Sequence, residues 1–175
     1  LLESAQTLEA LSSSLAVLPA GMAGGEPGFA QTRGRLPLPA RGALLRRAGE
    51  ADAAGTVRPG LVLATEDGAL VTAPWSGTLR WHGPLLDYAN VILLEPGEDY
   101  LLLIAGLETV LADVGAVLAA GAPLGLMPGG TATATEFAAD LAAVAGRTRS
   151  LYVELRHRGR PIDPGDWFDL SGTTP

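Results

Sequence analysis

The chain has 175 residues, 47% of them apolar, and a formal net charge of −7 at pH 7. A chain of that length buries a core without covalent staples, and its acidic balance excludes general nucleic-acid binding, which needs a basic footprint. There is no Cys, and all 12 basic residues are Arg, so disulfides, thiol nucleophiles, Schiff bases, P-loops and lipoyl or biotinyl attachment are excluded too. Any imidazole chemistry must use His82 or His157. With 23 Gly and 13 Pro at this apolar content, the composition predicts many short strands and not disorder. The first residue is Leu1, so the chain reads as a fragment, and the lack of a signal peptide is silent about compartment.

Residues 1–18 place Leu1, Ala5, Leu8, Leu11, Leu15 and Leu18 at intervals of three and four, which predicts an amphipathic helix. Ser4, Gln6, Glu9, Ser12 and Ser13 fill its other face, and Pro19 stops it. A lone helix of this length is marginal in water and needs a surface for its stripe. Three surfaces are open: a groove of this chain, the continuation of a coiled coil, or another part of this domain or of a neighbouring copy. Residues 19–34, rich in Gly and Pro, read as a linker.

From residue 35 a β domain is predicted, extending to about residue 170. A short strand falls within 35–50. Strand-like runs follow at Gly60–Ala64, Ala69–Thr72, Thr78–Trp81, Asn90–Leu94, Tyr100–Ala105, Pro123–Met127 and Leu151–Arg156. Turn signals separate them, and their spacing predicts a sandwich or barrel. His82 is read in a turn after Trp81, and His157 after the final strand. Trp75, Trp81 and Trp167 are read as core or edge packing. The uncharged run Val114–Thr135 contains Gly115, Gly121, Pro123, Gly125 and Pro128, which a membrane-spanning helix of about 20 residues disfavours. Thr133 and Glu136 form a capping-box pair ahead of Phe137, Leu141 and Val144, with Gly146 as a stop; this predicts one short inserted helix near 135–145.

Five fragments in this order resemble the LytM-like (lysostaphin-type) zinc metallopeptidase domain: RPGLVLAT (58–65), ALVTAPWSGTLRWHGPLLDYANVILLE (69–95), YLLLIAGL (100–107), VGAVLAAGAPLG (114–125) and LYVELRHRGRPIDPGDWF (151–168). The resemblance covers roughly residues 36–168. It implies a mainly β fold, a LytM-like β-sandwich or barrel-sandwich, here with an N-terminal amphipathic helix and one short inserted helix. Active members bind zinc through a His-x-x-x-Asp pair and the outer His of a His-x-His pair, and a further His assists the water. Matched residue by residue, those positions hold Arg58, Val62, Gly106, Ser150 and Tyr152. None of these side chains is an ordinary zinc ligand, and a guanidinium cannot lose its proton to become one. The resemblance therefore implies a degenerate peptidase that holds no metal and has no catalytic residues.

The final fragment is similar to the EnvC-like branch of murein hydrolase activators. That branch implies a periplasmic protein with no cofactor, whose vacated groove binds a helix of a cell-wall amidase. It also implies an upstream coiled coil leading to the FtsEX membrane complex, and a segment of the chain that occupies the groove as a restraint. Here Arg58, Val62, Tyr88, Tyr152 and Arg156 are the candidate groove residues, and Leu8, Leu11, Leu15 and Leu18 the candidate restraining stripe. Apolar and aromatic side chains at former ligand positions suit an amphipathic helix, and Arg suits its carboxylates.

Other readings stay open residue by residue. Tyr152 can fill the old metal cavity, and Val62 can pack in the core. Arg58 can fold back onto Glu66 or Asp67, Arg156 can be an exposed strand-end charge, and Tyr88 can cover the core. Glu154 is read as satisfying a buried neighbour. The inserted helix either walls the groove or decorates the domain. Competing functions are a zinc endopeptidase, a carrier or phosphotransfer domain, and a peptidoglycan-binding scaffold.

Overall fold

A computed structural model of the chain describes residues 28–85, 89–129 and 149–173. The two expected helices, at 1–18 and 135–145, lie outside the described residues, as does Tyr88. The strands are β1 (Gly42–Arg46), β2 (Leu61–Thr65), β3 (Leu70–Thr72), β4 (Gly77–Leu85), β5 (Ala89–Gly97), β6 (Tyr100–Leu107), β7 (Thr109–Val110), β8 (Val117–Leu118), β9 (Pro123–Leu126), β10 (Arg149–His157) and β11 (Arg160–Ile162). One antiparallel sheet runs β1-β2-β10-β6-β5-β4-β8, with β11 added to β10; a second runs β3-β9-β7. The mainly β architecture is the one expected.

The period of two along each strand divides the large sheet into two unlike faces. Leu61, Leu63, Ile92, Leu94, Leu102, Ile104, Leu151, Val153 and Leu155 are at most 1% exposed. They form one core with Val71 and Leu124 of the small sheet. The alternate residues point the other way. Val62 pairs with Tyr152, Tyr152 with Ala105, and Ala105 with Val91, a row across four strands. Val91, Ala105 and Tyr152 form a separate buried cluster, with Val62, Leu93 and Leu103 packed against it. This second face carries the site.

The structure corrects several expectations. Phe29–Thr32, inside the stretch read as linker, is a 3-10 turn. Phe29 is buried, stacks on Trp167 at 5.1 Å and meets Tyr100 edge-on at 4.9 Å. A single aromatic among glycines leaves no periodicity to detect, and its partners come from the far end of the chain. His82 lies within β4, which continues to Leu85 after a bulge between Leu79 and Trp81. His157 is the last residue of β10 and stacks on Tyr100 at 4.1 Å. The short strands β7, β8 and β11 were not foreseen, because runs of two or three residues show no alternation. Trp167 is buried and Trp75 packs against the core, but Trp81 is 40% exposed.

Candidate functional site

A groove of about 590 Å³ opens where the ends of β2, β6 and β10 meet. Arg58, Val62, Gly106, Ser150 and Tyr152 all line it, with Arg46, Asp52, Ala89, Met127 and Arg149 around them. The five positions matched to the peptidase site, far apart in the chain, thus share one cavity. Arg156 is not part of this lining; it lies on the same face of β10, four residues beyond Tyr152. A larger depression of about 790 Å³, lined by Leu38, Leu70 and Asp169 among others, contains none of these positions.

Local rules hold each wall. The segment between β1 and β2 folds on itself through the Ala51–Val57 bridge. Asp52 Oδ1 accepts the N–H groups of Ala54 (2.9 Å) and Thr56 (2.8 Å), an Asx-type closure. Gly49 N–H donates to the Arg58 carbonyl at 2.9 Å, which fixes Arg58 just before β2 begins. The Thr56 hydrogen bond holds the Asp52 carboxyl below the usual carboxylate range, and the charges of Arg46 and Arg58 add to this. Arg149 Nε donates to Asp67 Oδ1 at 2.8 Å, so one of the two acids considered for Arg58 serves Arg149.

Two glycines allow the closeness of the walls. Gly106 has φ +111°, and a Cβ there would lie 2.5 Å from the Ser150 carbonyl oxygen. A Cβ on Gly60 would lie 2.5 Å from Tyr152 Cζ, so the tyrosine ring is laid across the Gly60 backbone.

The tyrosine continues into a polar ladder along β10. Its hydroxyl donates to Glu154 Oε2 at 2.9 Å, and Arg156 Nε donates to Glu154 Oε1 at 2.6 Å. Glu154 is 5% exposed. A carboxylate that buried is tolerated when both oxygens are bonded and a cation is adjacent. Glu154 therefore satisfies its neighbours, as expected, and Arg156 is tied to it instead of projecting freely.

The donor chemistry does not fit zinc. Among the described residues, no three His, Cys, Asp or Glu side chains come together as a metal-binding group. Apart from Asp52, the groove presents three guanidiniums, a hydroxyl, a phenol, the Met127 thioether and several alkyl groups. Among the described residues its one carboxylate, Asp52, already accepts two backbone N–H groups. Zinc takes thiolate, imidazole or carboxylate and gains nothing from cations. His82 and His157 do not line the groove. Among the described residues, Asp52, Arg46, Arg149 and Gly60 are parts of the site that sequence reading missed; their signal was only the Asp-x-x-x-Thr turn spacing and the Pro-Gly before β2.

The fold and its groove define a metallopeptidase-type β domain. The model of peptidase family M23 matches residues 56–164, and the chain belongs to that family. It is 29% identical over 143 residues to the murein hydrolase activator EnvC of Escherichia coli, covering 81% of this chain and 30% of EnvC. It is 25% identical over 145 residues to the uncharacterized protein NMB1333 of Neisseria meningitidis, covering 83% of this chain and 22% of that protein. The chain thus spans less than a third of either relative. The catalytic domain of the antimicrobial peptidase lysostaphin from Staphylococcus simulans superposes with a TM-score of 0.54 at 17% identity, over 70% of this chain and 89% of that one. That likeness shows the fold. Among the described residues, no helix is long and apolar enough to cross a membrane.

Proposed function

We propose that this domain is a non-catalytic activator of periplasmic N-acetylmuramoyl-L-alanine amidases, acting in septal peptidoglycan splitting. One observation carries the reading: Arg58, Val62, Gly106, Ser150 and Tyr152, the residues matched by resemblance to the peptidase metal site, line one groove, and their side chains suit a peptide better than a cation. The relation to a murein hydrolase activator supports it. In this reading an amidase helix lays its apolar face on Val62 and Tyr152, with Tyr88 beside them. Arg58 and Arg156 meet carboxylates on that helix. The stripe Leu8, Leu11, Leu15 and Leu18 competes for the groove as a self-restraint. An upstream coiled coil links the domain to the FtsEX complex, which relieves the restraint.

The test is dye release from labelled peptidoglycan by the amidase alone, by this chain alone, and by both. Release only in the combined reaction is expected. Release by this chain alone, with stoichiometric zinc in the purified protein, marks an endopeptidase and overturns the reading. Retention on peptidoglycan without any amidase stimulation marks a scaffold and overturns it too.

A further inference from the structure

We propose that the open edge of β1 docks an extended acidic segment of a partner protein, which adds a strand to the large sheet and seats one apolar side chain between Leu38 and Leu70. β1 is the terminal strand of its sheet. Gly42, Ala43, Leu44 and Arg46 pair with β2 on one side, and among the described residues no strand pairs with the other side. Alternate residues of such a strand direct N–H and C=O groups outward, where an extended chain can take them up. This surface is an edge and not the sheet face that carries Tyr152, so it stands independently of the amidase reading.

Depressions flank the strand at both ends. The larger, about 790 Å³, has Leu38, Pro39, Ala69 and Leu70 among its lining, and it reaches Arg41 and Gly42. Leu70 is 49% exposed there. The smaller, about 220 Å³, runs past Leu44, Leu45 and Arg47. Thr173 borders both, so the C-terminal turn forms the opposite bank. That turn bonds to itself: Ser171 N–H donates to Asp169 Oδ1 at 3.0 Å, and Thr173 N–H donates to the Leu170 carbonyl at 3.1 Å. The edge of β1 stays unpaired beside it.

Charge selects the occupant. The run RGALLRR (41–47) carries three guanidiniums and no carboxylate, in a chain of net charge −7. Among the described residues, Arg41 and Arg47 make no ion pair. The Glu50 carboxylate accepts the main-chain N–H of Arg47 at 2.7 Å. Glu66 and Asp169 share the larger depression with Arg41, so an uncharged anchor belongs in it and the partner's carboxylates belong at the Arg47 end. A second copy of this chain does not fit. Two β1 strands paired antiparallel about Leu44 would set Arg41 opposite Arg47 twice, and like charges so placed are destabilising. Charged side chains on an outer strand also serve as a guard against pairing; the experiment separates a guard from a dock.

The probe is a short synthetic peptide of alternating valine and threonine, with a leucine near one end and two glutamates at the other, made in both chain directions. A twin carries lysines in place of the glutamates. Both are titrated into the 15N-labelled full chain at low salt. We expect one direction of the acidic peptide to shift the Ala43, Leu44 and Leu70 amides and to slow hydrogen exchange in β1. The lysine twin should bind about tenfold more weakly. Because the chain as a whole is acidic, that preference can only be local to the arginines. Arg47→Glu should reverse it, and Leu70→Asn should weaken both peptides; each residue is exposed. The comparison of the two peptides on the unaltered chain needs no variant to fold. Absence of binding marks a guard and overturns the proposal. So does equal affinity for the twins, or shifts confined to Arg58, Val62 and Ser150. Slow exchange throughout β1 before any peptide is added overturns it as well, assigning the edge to a second copy if the chain sediments as a dimer and to the chain's own residues if it is a monomer.

Discussion

Tyr152 and Glu154 are joined by a hydrogen bond of 2.9 Å between the phenol and the buried carboxylate. The pair links the groove wall to the sheet's own stability. Tyr152→Phe keeps the ring over Gly60 but removes a donor from Glu154, which is expected to cost about 1–3 kcal/mol. Tyr152→Ala also empties the wall. Urea unfolding should rank wild type above Phe above Ala. Amidase stimulation should survive in Phe and fall in Ala; equal stimulation by all three removes Tyr152 from the partner surface.

Arg156 requires a gentler probe than charge reversal. A second carboxylate beside buried Glu154 would destabilise the strand and confuse folding with binding. Arg156 is 41% exposed but supplies the cation beside buried Glu154, so Arg156→Gln, which keeps a donor and loses the charge, is expected to cost about 1–3 kcal/mol. A lowered melt of a still-folded domain, together with weaker amidase pull-down, is the expected pair of results. Unchanged pull-down would leave Arg156 with only the role of bonding Glu154.

Gly106 cannot readily accept a side chain. Its φ of +111° and the 2.5 Å approach to the Ser150 oxygen predict that Gly106→Ala loses about 1–3 kcal/mol. Gly106→His inserted to rebuild the peptidase site should be at least as unstable. Differential scanning calorimetry of both variants checks this, and a wild-type melting temperature for either contradicts the geometry.

The turn from Gly28 belongs to the folded core. Phe29→Ala removes a buried ring stacked on Trp167 and is expected to cost about 3–5 kcal/mol. A cost near zero in equilibrium unfolding would mean that the turn is not part of the cooperative unit.

Asp52 supplies a pH dependence of known sign. Its folded carboxyl is held below the ordinary range, chiefly by the Thr56 N–H. Its contribution is therefore present above the unfolded carboxylate pKa and is lost as pH falls through the lower folded value. An NMR titration should show the Ala54 and Thr56 amides shifting only at pH values below the usual carboxylate range. Asp52→Asn should abolish that step.

Much of the fold was legible in the residues. Short β-rich runs bounded by turn signals marked β2, β5, β6 and β10, because such runs pair into sheet wherever Gly, Pro and Asp break the chain between them. The side chains at the positions matched by resemblance were legible as well, since reading them needs only the residue that occupies each. The two-residue strands β7 and β8 were not, because pairing at that length is decided by neighbours. Phe29, in the stretch read as a linker, was missed for a related reason: burial of one aromatic depends on which distant residues close over it.

Composition and order alone determined that this chain lacks thiol, lysine and zinc-ligand chemistry at the matched positions, because those are properties of single side chains. Tertiary structure decided that Arg58, Val62, Gly106, Ser150 and Tyr152 share one groove, that Glu154 is buried between Tyr152 and Arg156, and that Trp81 faces outward. Such relations depend on strand order and on which backbones approach closely enough to exclude a Cβ, and no local pattern encodes them.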